Sequence, residues 1–127
     1  MKGINYVDSN VFLYPVIYKN IHEAEFGRKV ISSIERKDIP AYTSTLTWEE
    51  ISYVVEKLLG RIDAIEIGRK FMNYPGLRFI PVDEDSMRRS QLIREKYNLK
   101  LRDSIHLSSA IEKTLRELSR TIGISTI

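Results

Sequence analysis

Three carboxylates sit at or near the starts of helical patterns: Asp8, Glu50 and Asp103. Asp8 directly follows the short apolar run Ile4, Tyr6, Val7, where an acid after a strand would point into a crevice. Ser9 and Asn10 beside it can hydrogen-bond the acid or the start of the next helix. Carboxylates converging on such a crevice repel one another and call for a cation. Hard oxygen donors without His or Cys select Mg²⁺ or Mn²⁺ over zinc. A site of that kind can activate water and neutralise charge on a phosphodiester. Taken singly, each acid also suits a plainer task. Asp8 and Asp103 suit helix caps, and Glu49 and Glu50 suit first-turn acids that complement the helix dipole.

Helical periodicity ranks the acids. Ile51, Val54, Val55 and Leu58 define one apolar face. At 100° per residue, Glu49 falls roughly 170° from its centre and Glu50 roughly 90° from it. Glu50 therefore belongs on the rim between core and solvent, and Glu49 in solvent. Further on, Ser104, Leu107, Ser108, Ile111, Leu115 and Leu118 form the face expected to bury. Asp103 falls roughly 70° from the centre of that face, again on a rim. The same count puts His106 on an exposed shoulder; His22 begins another helix, and neither has a partner at metal-ligand spacing.

The elements that position these residues alternate. Short strands are expected at Ile4–Val7, Ala41–Thr43, Leu77–Val82 and Thr121–Ile124. Val11–Tyr18 is apolar and aromatic, broken by Pro15. Helices are expected over Ile21–Arg36, from a cap at Thr45 or Thr47 to Leu59 before Gly60, over Ile62–Met72, from Asp83 to about Tyr97, and from Leu101 to Leu118. Strands separated by helices predict an α/β fold with a parallel sheet, whose ligands bind at the strand carboxyl ends. The 127 residues make one domain, 1–127. Hydrophobic residues at 43% with 29% charged residues exclude a disordered chain, and the absence of Cys excludes disulfides and zinc thiolates. No apolar run is long enough to span a membrane, and a cytoplasmic location is expected. A net charge of +3 permits a nucleic-acid partner.

Three segments together resemble the PIN domain family: Tyr6–Val11, Thr43–Ile51 and Leu101–Ala110. The resemblance spans nearly the whole chain. It implies a three-layer α/β/α sandwich and a metal-dependent ribonuclease, most like the VapC toxins of type II toxin–antitoxin systems. Carried over, Asp8, Glu50 and Asp103 match the family's first three acidic ligands, for Mg²⁺ or Mn²⁺. Asn10 matches its polar support residue, and Ser44, Thr47 and Glu50 fit its Ser-x-x-Thr-x-x-Glu pattern. Ile124–Ile127 looks like the start of the element that supplies a fourth acid. No acid follows Glu117, so a sheet of about four strands is expected, lacking the usual C-terminal strand and fourth acid. The alternative is a degenerate PIN domain that binds RNA or a protein partner without catalysis.

The implied partners are an RNA substrate, an antitoxin and a second copy of the chain. Arg61, Arg69, Lys70, Arg88, Arg89, Lys96, Lys100 and Arg102 are candidates to guide RNA, with Arg102 and Lys100 best placed beside Asp103; most basic residues are otherwise solvated helix faces. Trp48, Phe12, Tyr14 and Tyr18 suit a core or an interface. Val11–Tyr18, with Met72 and Tyr74, is the expected dimer face or antitoxin groove.

Overall fold

The computed structural model describes residues 5–18 and 21–122. Strands β1 (Asn5–Tyr6), β2 (Ala41–Ser44) and β3 (Leu77–Ile80) form one parallel sheet in the order β1-β2-β3. A pair of helices follows each strand. These are α1 (Ser9–Ile17) and α2 (His22–Glu35), α3 (Thr45–Leu59) and α4 (Arg61–Met72), then α5 (Glu84–Lys96) and α6 (Leu101–Ile122). The expected α/β order with a parallel sheet is present. The expected fourth strand is not seen: Thr121 and Ile122 are the last residues of α6, and residues 123–127 lie outside the described residues. The helix outruns Leu118 because no helix breaker precedes Gly123.

Local chemistry sets most boundaries. Ser44, rather than Thr45 or Thr47, caps α3; its extended backbone lets Oγ accept the Leu46 N–H at 2.9 Å. Asp83 caps α5 by accepting the Ser86 N–H at 3.0 Å. Gly60 ends α3 at φ 97°, a conformation that L side chains resist. Pro15 lies inside α1 instead of breaking it. Proline has no N–H for the Val11 carbonyl, and α2 packs against that spot through Gly27. A Cβ at position 27 would stand 2.5 Å from Val11 O and 2.9 Å from Pro15 Cγ.

The register separates the two faces of the sheet. Asn5, Ala41 and Leu77 are aligned across the strands, as are Tyr6, Tyr42 and Arg78. Successive side chains alternate, so the two sets point to opposite sides. On the first side Ala41 and Leu77 join Val7, Phe12, Leu13, Ile34, Ile51, Val55, Ala64 and Phe71 in one buried apolar cluster. Phe71 meets Phe12 and Phe79 edge-on, at ring separations of 4.9 and 5.4 Å.

The second side receives α6, with α5 packed on it. Here the buried residues of the two helices are mostly polar: Ser86, Ser90, Ser104, Ser108, Ser109, Glu112 and Lys113, with Ile93 beside them. Lys113 Nζ sits 3.7 Å from the centre of the Tyr42 ring and pairs with Glu117 at 2.7 Å. Arg89 donates to the Ser108 carbonyl and hydroxyl at 3.2 and 3.1 Å, and its Nη1 lies 3.7 Å from Glu112. The expected burial of Leu107, Leu115 and Leu118 is therefore corrected: they are exposed. The buried side of α6 is turned by about 100°, one residue's worth of rotation. Serines let α5 and α6 approach closely, and ion pairs and hydrogen bonds offset the cost of burying most of these polar groups, Ser109 Oγ being without a hydrogen bond among the described residues.

Candidate functional site

The carboxyl edge of the sheet opens into a cavity of about 430 Å³. Asp8, Ser9, Asn10, Glu50, Lys100, Leu101, Arg102, Asp103 and His106 line it. The three acids picked out by position thus share one pocket, and two of the eight basic candidates, Lys100 and Arg102, join them. Lys100, Arg102, Asp103, Asp8 and Asn10 are exposed, whereas Glu50 is buried at 9%.

Each acid arrives by a different route. Asp8 is the N-cap of α1; its Oδ1 accepts the Ser9 N–H at 2.8 Å and lies 3.4 Å from Ser9 Oγ. The capping and pocket roles are compatible, because one oxygen does the capping. Asn10 lines the pocket but makes no hydrogen bond to Asp8 among the described residues. Glu50 is held in the second turn of α3, whose start is fixed by a buried hydroxyl pair. Thr43 Oγ1 donates to the Val7 carbonyl at 2.8 Å, so its single proton is used. Thr47 Oγ1, 2.6 Å away, then donates to Thr43. Thr47 therefore ties α3 to the end of β1, next to Asp8. Glu49 is exposed, as its angle required.

The position of His106 is the main correction to the sequence reading. Its side chain is only 12% exposed. Its Nε2 lies 2.6 Å from Glu50 Oε1, and its Nδ1 lies 2.6 Å from the Tyr6 hydroxyl. Both ring nitrogens are thus engaged: Nε2–H can donate to the Glu50 carboxylate while Nδ1 pairs with the Tyr6 hydroxyl. Burial pushes the pKa of the Tyr6 hydroxyl up to about 12, so it stays protonated at ordinary pH. The turn of α6 that exposes Leu107 is what brings His106 inward. The available signal was spacing: Tyr6 is two strand positions before Asp8, and His106 lies one helical turn after Asp103.

The remaining basic candidates go elsewhere. Arg89 is engaged with Ser108 and Glu112, and Arg88 pairs with Glu84 at 3.0 Å. Arg61 and Arg69 line a separate groove of about 410 Å³ between α3 and α4, with Trp48, Ile65 and Met72. Val11–Tyr18 is also only partly a surface, because Phe12 and Leu13 are in the core. Among the described residues, no three His, Asp or Glu side chains already stand close enough to hold one ion. No helix among them is long and apolar enough to cross a membrane.

The PIN domain family model matches residues 6–120, which contain all three acids and all three motif segments. The chain belongs to the PIN domain family. Solved structures share this PIN fold. VapBC2 from Rickettsia felis, bound to a DNA fragment from its promoter, gives a TM-score of 0.66 at 14% identity, covering 88% of this chain and 83% of that one. VapC20 of Mycobacterium tuberculosis, a sarcin–ricin loop cleaving toxin, gives 0.62 at 14% identity, covering 96% and 85%. A toxin–antitoxin complex from Klebsiella pneumoniae gives 0.58 at 23% identity, covering 87% and 80%. No curated protein sequence matches the chain.

Proposed function

We propose that this PIN domain is a Mg²⁺- or Mn²⁺-dependent endoribonuclease and the toxin of a type II toxin–antitoxin pair. One observation carries the reading: Asp8 at the cap of α1, Glu50 in α3 and Asp103 in α6 line one pocket with two cations. The donor set suits a hard divalent ion. Asp8 and Glu50 each use one carboxylate oxygen internally, and Asp103 uses none among the described residues. Closing on an ion takes rotation of the exposed Asp8 and Asp103 side chains about a fixed Glu50. The bound ion would supply water activation and charge neutralisation at the phosphodiester.

The residues of the chain do the rest. Lys100 and Arg102 offer positive charge to the RNA backbone on the rim of the pocket. Thr47 keeps α3 in place under Glu50, and Asn10 offers an amide to the substrate or an ordered water. Support for the toxin reading comes from the similar folds of VapC20, VapBC2 and the Klebsiella pneumoniae complex. An antitoxin helix would be accommodated by the α3–α4 groove, where Trp48, Ile65 and Met72 are exposed.

The test is RNA cleavage in Mg²⁺ or Mn²⁺, run beside Asp8→Asn. The parent should cut and the variant should not, at unchanged thermal stability. If Asp8→Asn cuts as fast as the parent, the site assignment is wrong. If the parent binds RNA with a steep salt dependence yet cuts with neither ion, the domain is a binding module.

A further inference from the structure

We infer that His106, backed by Tyr6, is a positioning residue that presents Glu50 to the cation. This rests on the metal site proposed above and concerns residues outside its ligand set. The chain of contacts runs from the sheet through α6 to α3. Tyr6 lies on the side of the sheet that faces α6, fixed there by its register with Tyr42. Its hydroxyl and the Glu50 carboxylate each lie 2.6 Å from a different nitrogen of one imidazole.

That geometry does what a lone glutamate cannot. A glutamate has three rotatable side-chain bonds, and an unrestrained one samples many rotamers. Here Oε1 is held at 2.6 Å by Nε2, which leaves Oε2 as the oxygen available to an ion in the pocket that Glu50 lines. The ring cannot swivel, because Tyr6 fixes its far nitrogen. Hydrogen bonds that orient a ligand carboxylate commonly govern metal affinity by about 10–100-fold. A histidine that served only to join α3 to α6 would change melting temperature and leave metal affinity alone.

The experiment is a calorimetric Mn²⁺ titration of the parent, His106→Leu, His106→Gln, Tyr6→Phe and Asp8→Asn, with the metal-free melting temperature of each. His106→Leu should weaken Mn²⁺ binding by about 10–100-fold. His106→Gln, whose amide nitrogen can take the place of Nε2, should recover most of that loss. Tyr6→Phe should weaken binding by a smaller factor. Parent-like Mn²⁺ affinity in His106→Leu overturns the inference, as does an equal loss in the Gln and Leu variants. If His106→Leu does not fold, Tyr6→Phe decides: parent-like affinity there overturns it, and a loss supports it. Mn²⁺ binding abolished by Asp8→Asn but untouched at His106 and Tyr6 overturns this inference alone. A parent that takes up no Mn²⁺ overturns the metal site as well.

Discussion

The two faces of the sheet are built on opposite chemistries. The side covered by α1 to α4 is a dry apolar cluster, with Phe71 at the centre of its aromatic contacts. The side covered by α5 and α6 is packed with serines, an arginine, a glutamate and a lysine. Apolar burial stabilises in proportion to area and tolerates small shifts. A buried polar network stabilises only while each member keeps its partner. The first face holds the fold together, and the second fixes how α6 is turned, and with it the place of His106.

The largest effect should come from the first face. Phe71→Ala removes a fully buried ring and should cost about 3–5 kcal/mol in urea unfolding. A cost under about 1 kcal/mol would mean that the aromatic cluster is not the centre of stability. On the second face, Glu112→Ala leaves Arg89 partly buried with its acid removed, at about 1–3 kcal/mol. Replacing both Arg89 and Glu112 with Met should recover much of that stability. If the double variant is less stable than Glu112→Ala, the network contributes more than matched desolvation. The smallest effect belongs to the exposed stripe of α6. Leu115→Gln should change stability by no more than about 0.5 kcal/mol, and a larger loss would mean that this leucine is covered in solution.

The same contrast explains what could be read from sequence. Strands and helix boundaries followed local rules, which is why β1 and β3 fall within their expected segments, β2 runs one residue past its own, to Ser44, and Asp83 and Gly60 mark helix ends as expected. The meeting of Asp8 and Glu50 followed from topology, because residues after parallel strands share one edge; Asp103 follows α5 rather than a strand and lines the same pocket from the start of α6. The rotation of α6 was not legible. A helical wheel assumes that apolar residues define the buried side, and in α6 that side is defined by Ser104, Ser108, Glu112 and Lys113. Their partners, Arg89, Tyr42 and Glu117, mostly lie on other elements, beyond the reach of a local pattern. His106 was misplaced for the same reason, although it lies three residues from Asp103. Glu50 was expected on a rim and is instead buried; of the face that set its angle Ile51 and Val55 bury, while Leu58 is exposed.

The pairing of each strand with two packed helices has a bearing on how the pocket comes into existence. Within each pair the helices touch neighbours in sequence, and such local contacts close only short loops. The strands pair across the much longer separations between them, and parallel pairing is correspondingly slow to form. Asp8 belongs to the first helical pair, Glu50 to the second and Asp103 to the third. A partly folded chain with two pairs docked therefore carries two of the acids and no pocket. The pocket is complete only when all three helical pairs have docked on the sheet, because each brings one of its acids.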